Sequence, residues 1–352
     1  MTNNLTPSVL LQSSPHMVSP VNSTALMRNV LIALMPVSAF GVIIFGLPAL
    51  LNIVVAVVSA VVGESLFRLM IKRPVRANDC SAAITGLLLA LIVPPNMPLW
   101  KTALGAIFAV VVAKEFFGGL GANVFNPALI GRAFLIMSFP ESLTTWQKPV
   151  LPLGSSFGNA DVVTGATPLA ITKPMEGLPM GGGIAEVGQS LFEAGIIYSD
   201  SYWSIMNALF FGFRAGSTGE TSIFLILASF LFLLVTKTVN WQTPVSMITA
   251  GFLTALVLWQ DPQFALFSVL TGGLVFGAVF MATDYVTSPI TGRGRFIFGT
   301  CAGIIAIIIR RWGIYPEGVC YAILIMNGVT PFLNRLLTKK YGFVPGRREA
   351  VK

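Results

Sequence analysis

The chain has 352 residues, 55% of them hydrophobic and 10% charged, with a mean hydropathy of +0.80; a soluble protein carries roughly a quarter charged residues. That excludes an ordinary soluble domain and describes an integral membrane protein. The formal charge of +8, from 22 basic and 14 acidic residues, fits cytoplasmic loops rich in Lys and Arg better than nucleic-acid binding, and three scattered cysteines with one histidine argue against a metal or iron–sulfur centre built by this chain alone.

Residues 1–27 are polar, lack the apolar core of a signal peptide and read as a tail on one side of the membrane. Apolar runs at 28–47, 50–71, 81–94, 100–117 and 124–139 predict five membrane segments in a first half covering 28–139. A polar interval follows at 140–221. Further runs at 222–238, 242–259, 264–282, 296–309 and 317–336 predict five more segments in a second half covering 222–338, before a basic tail at 339–352. An odd number of segments per half makes the second half enter from the opposite face. The expected fold is therefore an all-α polytopic membrane protein of about ten transmembrane helices in two inverted five-helix repeats with broken helices.

Orientation follows from the loops. Lys72, Arg73 and Arg76 come after the second segment, Arg293 and Arg295 after the eighth, and Lys339, Lys340, Arg347 and Arg348 after the last. All fall on one face, which the excess of cations marks as cytoplasmic, so both termini are expected inside. Between 140 and 202 six carboxylates face two lysines, a net of −4, so that interval is expected outside. Arg310 and Arg311 stand on the outer face in this scheme and count against it.

The third segment of each half is irregular. Ser81 to Val93 is 13 residues long and stopped by Pro94-Pro95, against the ~20 residues of a full crossing. Its counterpart LTGGLVFGAVFMATDYVTSP (270–289) starts with Thr-Gly, as ITGLLLALIVPP (84–95) does, and loses its apolarity at Thr283-Asp284. Paired broken helices point to a site where repeats meet; two plain helices ended by proline turns are the alternative.

Several polar residues carry candidate chemistry. In DVVTGAT (161–167), Thr167 precedes Pro168 and reads as a helix N-cap. Less simply, it reads as a hydroxyl cleared of bulk by Gly165 and Ala166, open to a modifying enzyme, where a phosphate would meet a helix N-terminus. Asn123 and Asn126, three apart at the mouth of the fifth segment, either share a helix face or cap the helix beside Pro127. Asp284 ends an apolar segment, where a charge is costly unless paired or wetted, so it lines an ion path or ligand pocket, or is a wet helix end. GRGRFIFG (292–299) lies beside a membrane segment without the preceding strand of a nucleotide fingerprint, so this chain is not expected to bind NAD.

The pattern D-x-x-[ST]-G-A-T resembles the recognition motif of the flavin transferase that joins FMN to threonine through its phosphate; Asp161, Thr164, Gly165, Ala166 and Thr167 fill every specified place. With SSPHMVS (13–19), NVFNPALIGRAF (123–134), GSTGETS (216–222) and MATDYVTSP (281–289), the chain resembles the RnfD subunit of the Rnf ion-translocating ferredoxin:NAD oxidoreductase over nearly its whole length. More distantly it is similar to the NqrB subunit of the sodium-pumping NADH:quinone reductase. The resemblance implies covalent FMN on Thr167 and a second, noncovalent flavin at Asn123 and Asn126, similar to the riboflavin of the quinone-reductase relative. It also implies electron transfer among flavins coupled to Na+ or H+ translocation, with no catalytic residue acting on a small substrate. The implied partners are the other subunits of the complex, including a second FMN-bearing subunit and iron–sulfur subunits, the flavin transferase, and lipid of a bacterial inner membrane. The covalent ring needs apolar or aromatic cover, for which the sequence singles out no residue, although Phe210, Phe211, Phe213 and the GSTGETS turn lie close to the same face. The chain departs from the family at Thr164, where serine is commoner, and at Tyr285, where proline is usual. From another class, a urea-channel-like solute transporter would also have inverted halves with broken helices, but no bound flavin.

Overall fold

The computed structural model describes residues 23–75, 79–147, 202–212, 214–313 and 317–337, with Thr164, Gly165 and Phe192 between them. The first half consists of α1 (Ser23–Phe45), α2 (Leu47–Met70), α3 (Ser81–Ile92), α4 (Leu99–Val110, continuing in a π-helical turn, Val111–Glu115) and α5 (Pro127–Ser138). A short helix α6 (Pro140–Thr144) and an antiparallel pair, β1 (Trp146–Gln147) with β2 (Thr164–Gly165), follow. Next come α7 (Tyr202–Phe211), α8 (Ile223–Val235), α9 (Gln242–Trp259), α10 (Pro262–Leu270), α11 (Leu274–Phe276, continuing in a second π-helical turn, Gly277–Met281), α12 (Gly292–Trp312) and α13 (Val319–Leu337). Helices α1, α2, α9, α12 and α13 are each long and apolar enough to cross a bilayer, α10 and α11 reach that length only as a pair bent by 61°, and α3, α5 and α8 are shorter apolar helices. With α4 these make ten helical segments among the described residues. The first helix begins at Ser23, ahead of the apolar run that starts at 28.

Hydrogen bonds between distant elements show which helix ends share a face. Asn29 of α1 donates to Thr238 Oγ1 just beyond α8 (3.1 Å), the Tyr285 hydroxyl donates to the Thr238 carbonyl, and Ile290 N donates to Asn334 of α13 (2.9 Å). The start of α1, the end of α8, the 282–291 turn and the end of α13 therefore lie together, on the Ser23/Leu337 face. At the opposite face Lys101 donates to Ser142 (2.6 Å) and Gln147 to the Phe45 carbonyl (3.5 Å). Five passes thus lead to the β1 strand, and five more return from it in the opposite sense. The two halves repeat one set of neighbours. Helix α2 packs on α3 and α4 as α9 packs on α10 and α12, α4 packs on α5 as α12 does on α13, and the two leading helices, α1 and α8, meet each other.

Packing follows membrane rather than aqueous rules. The buried face of α2 is mostly small, with Ala49, Ala56, Ala60 and Gly63, while Leu51, Val54, Val58, Val62 and Leu66 point outward. Close backbone approach, not burial of large side chains, is what associates helices in lipid. Gly86 of α3 is one such approach: a Cβ there would lie 2.5 Å from the Ala56 carbonyl oxygen. Exposed Trp100, Trp241 and Trp312 stand at helix ends, where an amphipathic ring suits the interface.

The two Thr-Gly pairs are not structural equivalents. Thr85 and Gly86 lie inside α3, with the Thr85 hydroxyl bonded back to the Ser81 carbonyl (3.0 Å). Thr271 and Gly272 are the break itself, and Gly272 and Gly273 take φ of 64° and 66°, the left-handed region open to glycine. Arg310 explains both the break and its own place on the face opposite the chain ends. Its guanidinium donates to the carbonyls of Ser268, Thr271 (3.1 Å) and Gly272 (2.9 Å), so it is a buried clamp and not a loop cation. Arg311 lies over the Trp312 ring at 5.7 Å. Among the described residues the exposed lysines and arginines, Arg28, Lys72, Arg73, Lys237, Arg293 and Arg335, all lie on the Ser23/Leu337 face.

Candidate functional site

A cleft opens on the Ser23/Leu337 side of the fold, where both halves contribute walls. Met27 and Val30 come from α1, Ser81, Thr85 and Leu88 from α3, Lys114 from the first π turn, Asn123 and Asn126 from the approach to α5, and Leu233 from α8. Val279 and Phe280 come from the second π turn, and Thr283, Asp284 and Tyr285 from the loop beyond it. Its free space is about 700 Å³ counted to the mouth and about 70 Å³ where whole water molecules fit, so an occupant of small-molecule size uses the mouth as well. The wall is mixed, apolar with a few polar groups, as in sites for aromatic cofactors. Both π turns of the described chain border this one cleft, and such turns are frequent at functional sites.

The asparagine pair divides into two roles. Pro127 occupies the first helical position of α5, so Asn126 is its N-cap and its side-chain oxygen accepts from Ala128 N (3.1 Å) and Leu129 N (3.4 Å). Its amide donates to the Met281 carbonyl at the end of the second π turn (3.3 Å), tying the two halves together. Asn123 lies ahead of the helix and does not share a helical face with Asn126. Its amide donates to the Phe125 carbonyl (3.1 Å), while its buried Oδ1 has no hydrogen-bond partner among the described residues. An orphaned buried acceptor on a cleft wall is a request for a donor from an occupant.

Behind the cleft lies a charge network that composition and motif reading pass over. Lys114 Nζ meets Glu64 Oε1 at 3.0 Å and Ser81 Oγ at 2.6 Å; Glu64 also meets Arg68 (3.4 Å), and Arg68 meets Glu115 (2.9 Å). Asp79 accepts from Ser81 Oγ at 2.7 Å. Glu64, Arg68, Lys114 and Glu115 all sit in apolar runs, and a charge inside such a run is the signal that could have found them. Across the cleft, burial pushes the Asp284 carboxyl above the usual carboxylate range, against hydrogen bonds from Thr287 (3.1 Å) and from the Val286 and Tyr285 backbone. Burial, with the neighbouring Asp284 carboxylate, pushes the Tyr285 phenol up to about 12.

At the opposite face the β1–β2 pair sets Trp146 against Gly165 and Gln147 against Thr164. Those two residues of the DVVTGAT stretch are thus backbone-paired beside the end of α1, whose Phe45 carbonyl accepts from Gln147. Asp161, Ala166 and Thr167 lie outside the described residues. The GSTGETS segment is no surface turn: Ser217, Thr218, Glu220, Thr221 and Ser222 are buried. Gly219 N donates to the Leu91 carbonyl at the end of α3 (2.7 Å), and Arg214 donates to the Leu270 carbonyl at the end of α10 (3.0 Å). With Arg214 just before it, which also donates to the Glu220 carbonyl, it holds the third segments of both halves and is committed to the scaffold. Of the candidate aromatic cover, Phe210 is half-buried and Phe211 exposed, and Phe213 lies outside the described residues.

A family model described as the NQR2, RnfD, RnfE family matches residues 10–342. The D subunit of the proton-translocating ferredoxin:NAD(+) oxidoreductase complex of Clostridium ljungdahlii is 41% identical over 332 residues, covering 92% of this chain and 93% of that protein. The D subunit of the Na(+)-translocating ferredoxin:NAD(+) oxidoreductase complex of Acetobacterium woodii is 37% identical over 346 residues, covering 97% and 98%. The D subunit of the ion-translocating oxidoreductase complex of Stutzerimonas stutzeri is 39% identical over 331 residues, covering 88% and 89%.

Proposed function

The chain belongs to the NQR2, RnfD, RnfE family, and on that footing we propose that it is the RnfD-type membrane subunit of an ion-translocating ferredoxin:NAD oxidoreductase complex. In this reading FMN is esterified to Thr167 on the outer face, and a second flavin sits without a covalent bond in the cleft of Asn123 and Asn126. The chain passes electrons between the two, from another extracytoplasmic FMN-bearing subunit inward, while iron–sulfur subunits supply the clusters and the nucleotide site. The observation that carries the redox reading is the cleft with its unsatisfied Asn123 Oδ1, a built acceptor waiting for an N–H. A bound flavin would supply one-electron chemistry; the chain's own residues orient it, shield it and set its electrostatics.

The exposed cations on the Ser23/Leu337 face support a cytoplasmic assignment of that face, in a bacterial inner membrane. Pairing of Thr164 and Gly165 with β1 supports an outer position for the attachment motif, and Thr167 follows Gly165 by two residues. The transferred ion does not follow from similarity, because the two relatives of 41% and 37% identity are named for protons and sodium respectively.

The test is chemical. In chain produced together with its flavin transferase, the peptide containing Thr167 is expected to carry the mass of FMN, and Thr167→Ala is expected to abolish flavin fluorescence in a denaturing gel without loss of membrane insertion. An unmodified Thr167 in that material would refute the attachment.

A further inference from the structure

We infer that Lys114 is a positioning residue that presents a positive charge to the electron-accepting edge of the ring in the cleft and so sets how readily that ring takes up an electron; this rests on the flavin reading above. An ammonium has three N–H donors. Two of Lys114's are taken, by Glu64 Oε1 (3.0 Å) and Ser81 Oγ (2.6 Å), and the third has no acceptor among the described residues, although Lys114 lines the cleft. On the same cleft Asn123 Oδ1 is buried and unaccepted by any donor. One open donor and one open acceptor match a ring edge that combines carbonyl and ring-nitrogen acceptors with an imide N–H, which is the pyrimidine end of an isoalloxazine. Of the remaining lining, Val30, Leu88, Leu233, Val279 and Phe280 are apolar and suit the hydrocarbon end.

Lys114 is held by Glu64, which also meets Arg68; Arg68 meets Glu115, and Asp79 reaches the network through Ser81. Asp284 and Tyr285 border the cleft from the other side. Lys114 is 1% exposed and bonded from behind by Glu64, while no described carboxylate bonds its third N–H. Reduction of such a ring by a one-electron donor of the complex, itself oxidised in the step, would form and break no bond. The ring gains one negative charge in a medium that screens poorly, next to a fixed cation, and charge near the ring nitrogens is how a protein tunes a flavin.

The experiment uses the intact complex, with noncovalent riboflavin quantified after denaturing extraction and its midpoint potential followed by spectroelectrochemical titration. Lys114→Gln is expected to retain riboflavin but to make electron uptake less favourable by about tenfold or more, and Lys114→Arg to leave the potential near its original value. Riboflavin bound at an unchanged potential in Lys114→Gln overturns the inference. Should that variant fail to assemble, Lys114→Arg decides: a fall in potential with the charge retained overturns it. Asn123→Leu separates the two readings. Riboflavin lost there, with an unmoved potential in Lys114→Gln, overturns the role of Lys114 alone; riboflavin fully retained there overturns the cleft assignment and this inference together.

Discussion

Asn126 serves two structures at once. Its oxygen caps α5 and its amide holds the carbonyl that the second π turn leaves free at Met281. Asn126→Ala is expected to lower stability by about 1–3 kcal/mol through loss of the cap and an orphaned carbonyl, read as a lower unfolding temperature of the purified complex. Asn126→Asp should recover the cap but not the bond to Met281. The pair of asparagines is visible in the sequence; their division of labour follows from Pro127 at the first helical turn, which makes Asn126 the cap and leaves Asn123 outside the helix. Lys114 is harder to see, since no motif marks it. Its meaning comes from Glu64, 50 positions away and brought beside it by α2 and α4.

At the scale of elements, the bent α10–α11 segment shows where sequence patterning ends. Apolarity runs straight through 264–282, so composition gives a span but not its fracture. The fracture needs Gly272 and Gly273 to accept left-handed backbone, and it needs Arg310, 38 residues beyond Gly272, to take the freed carbonyls. Carbonyls without partners are costly in lipid. Arg310→Met is therefore expected to destabilise the complex by about 3–5 kcal/mol, and Arg310→Lys to recover only part, because one ammonium cannot reproduce the fork. Thermal unfolding in detergent measures both, and a silent Arg310→Met would contradict the clamp. The same residue looks in sequence like a topology error; burial turns it into part of the scaffold.

Across the whole molecule the two halves of five segments, and the face on which each begins, are readable from run lengths and loop charge. The depth of α3, buried between its neighbours with both ends short of those of α2, is not, because a 12-residue apolar helix reads the same at any depth. The exposed cations give a direct test of orientation. A cysteine replacing Lys72 is expected to react with a membrane-impermeant thiol reagent only in inverted vesicles, and one replacing Glu141 only in intact spheroplasts. The reverse pattern would place the attachment motif inside the cell.

Helix α1 joins the two ends of the proposed route: Met27 and Val30 border the cleft, and Phe45 receives the strand beside the attachment motif. At about 1.5 Å per residue that separation is roughly 22–27 Å, most of a hydrocarbon layer of about 30 Å. An electron carried inward over this distance does work against an interior-negative voltage, up to ~2.3 kcal/mol for every 100 mV. With flavins at these two ends, as proposed, their equilibrium would answer to the energised state of the membrane as well as to their chemistry, and transfer between them would itself be an electrogenic step.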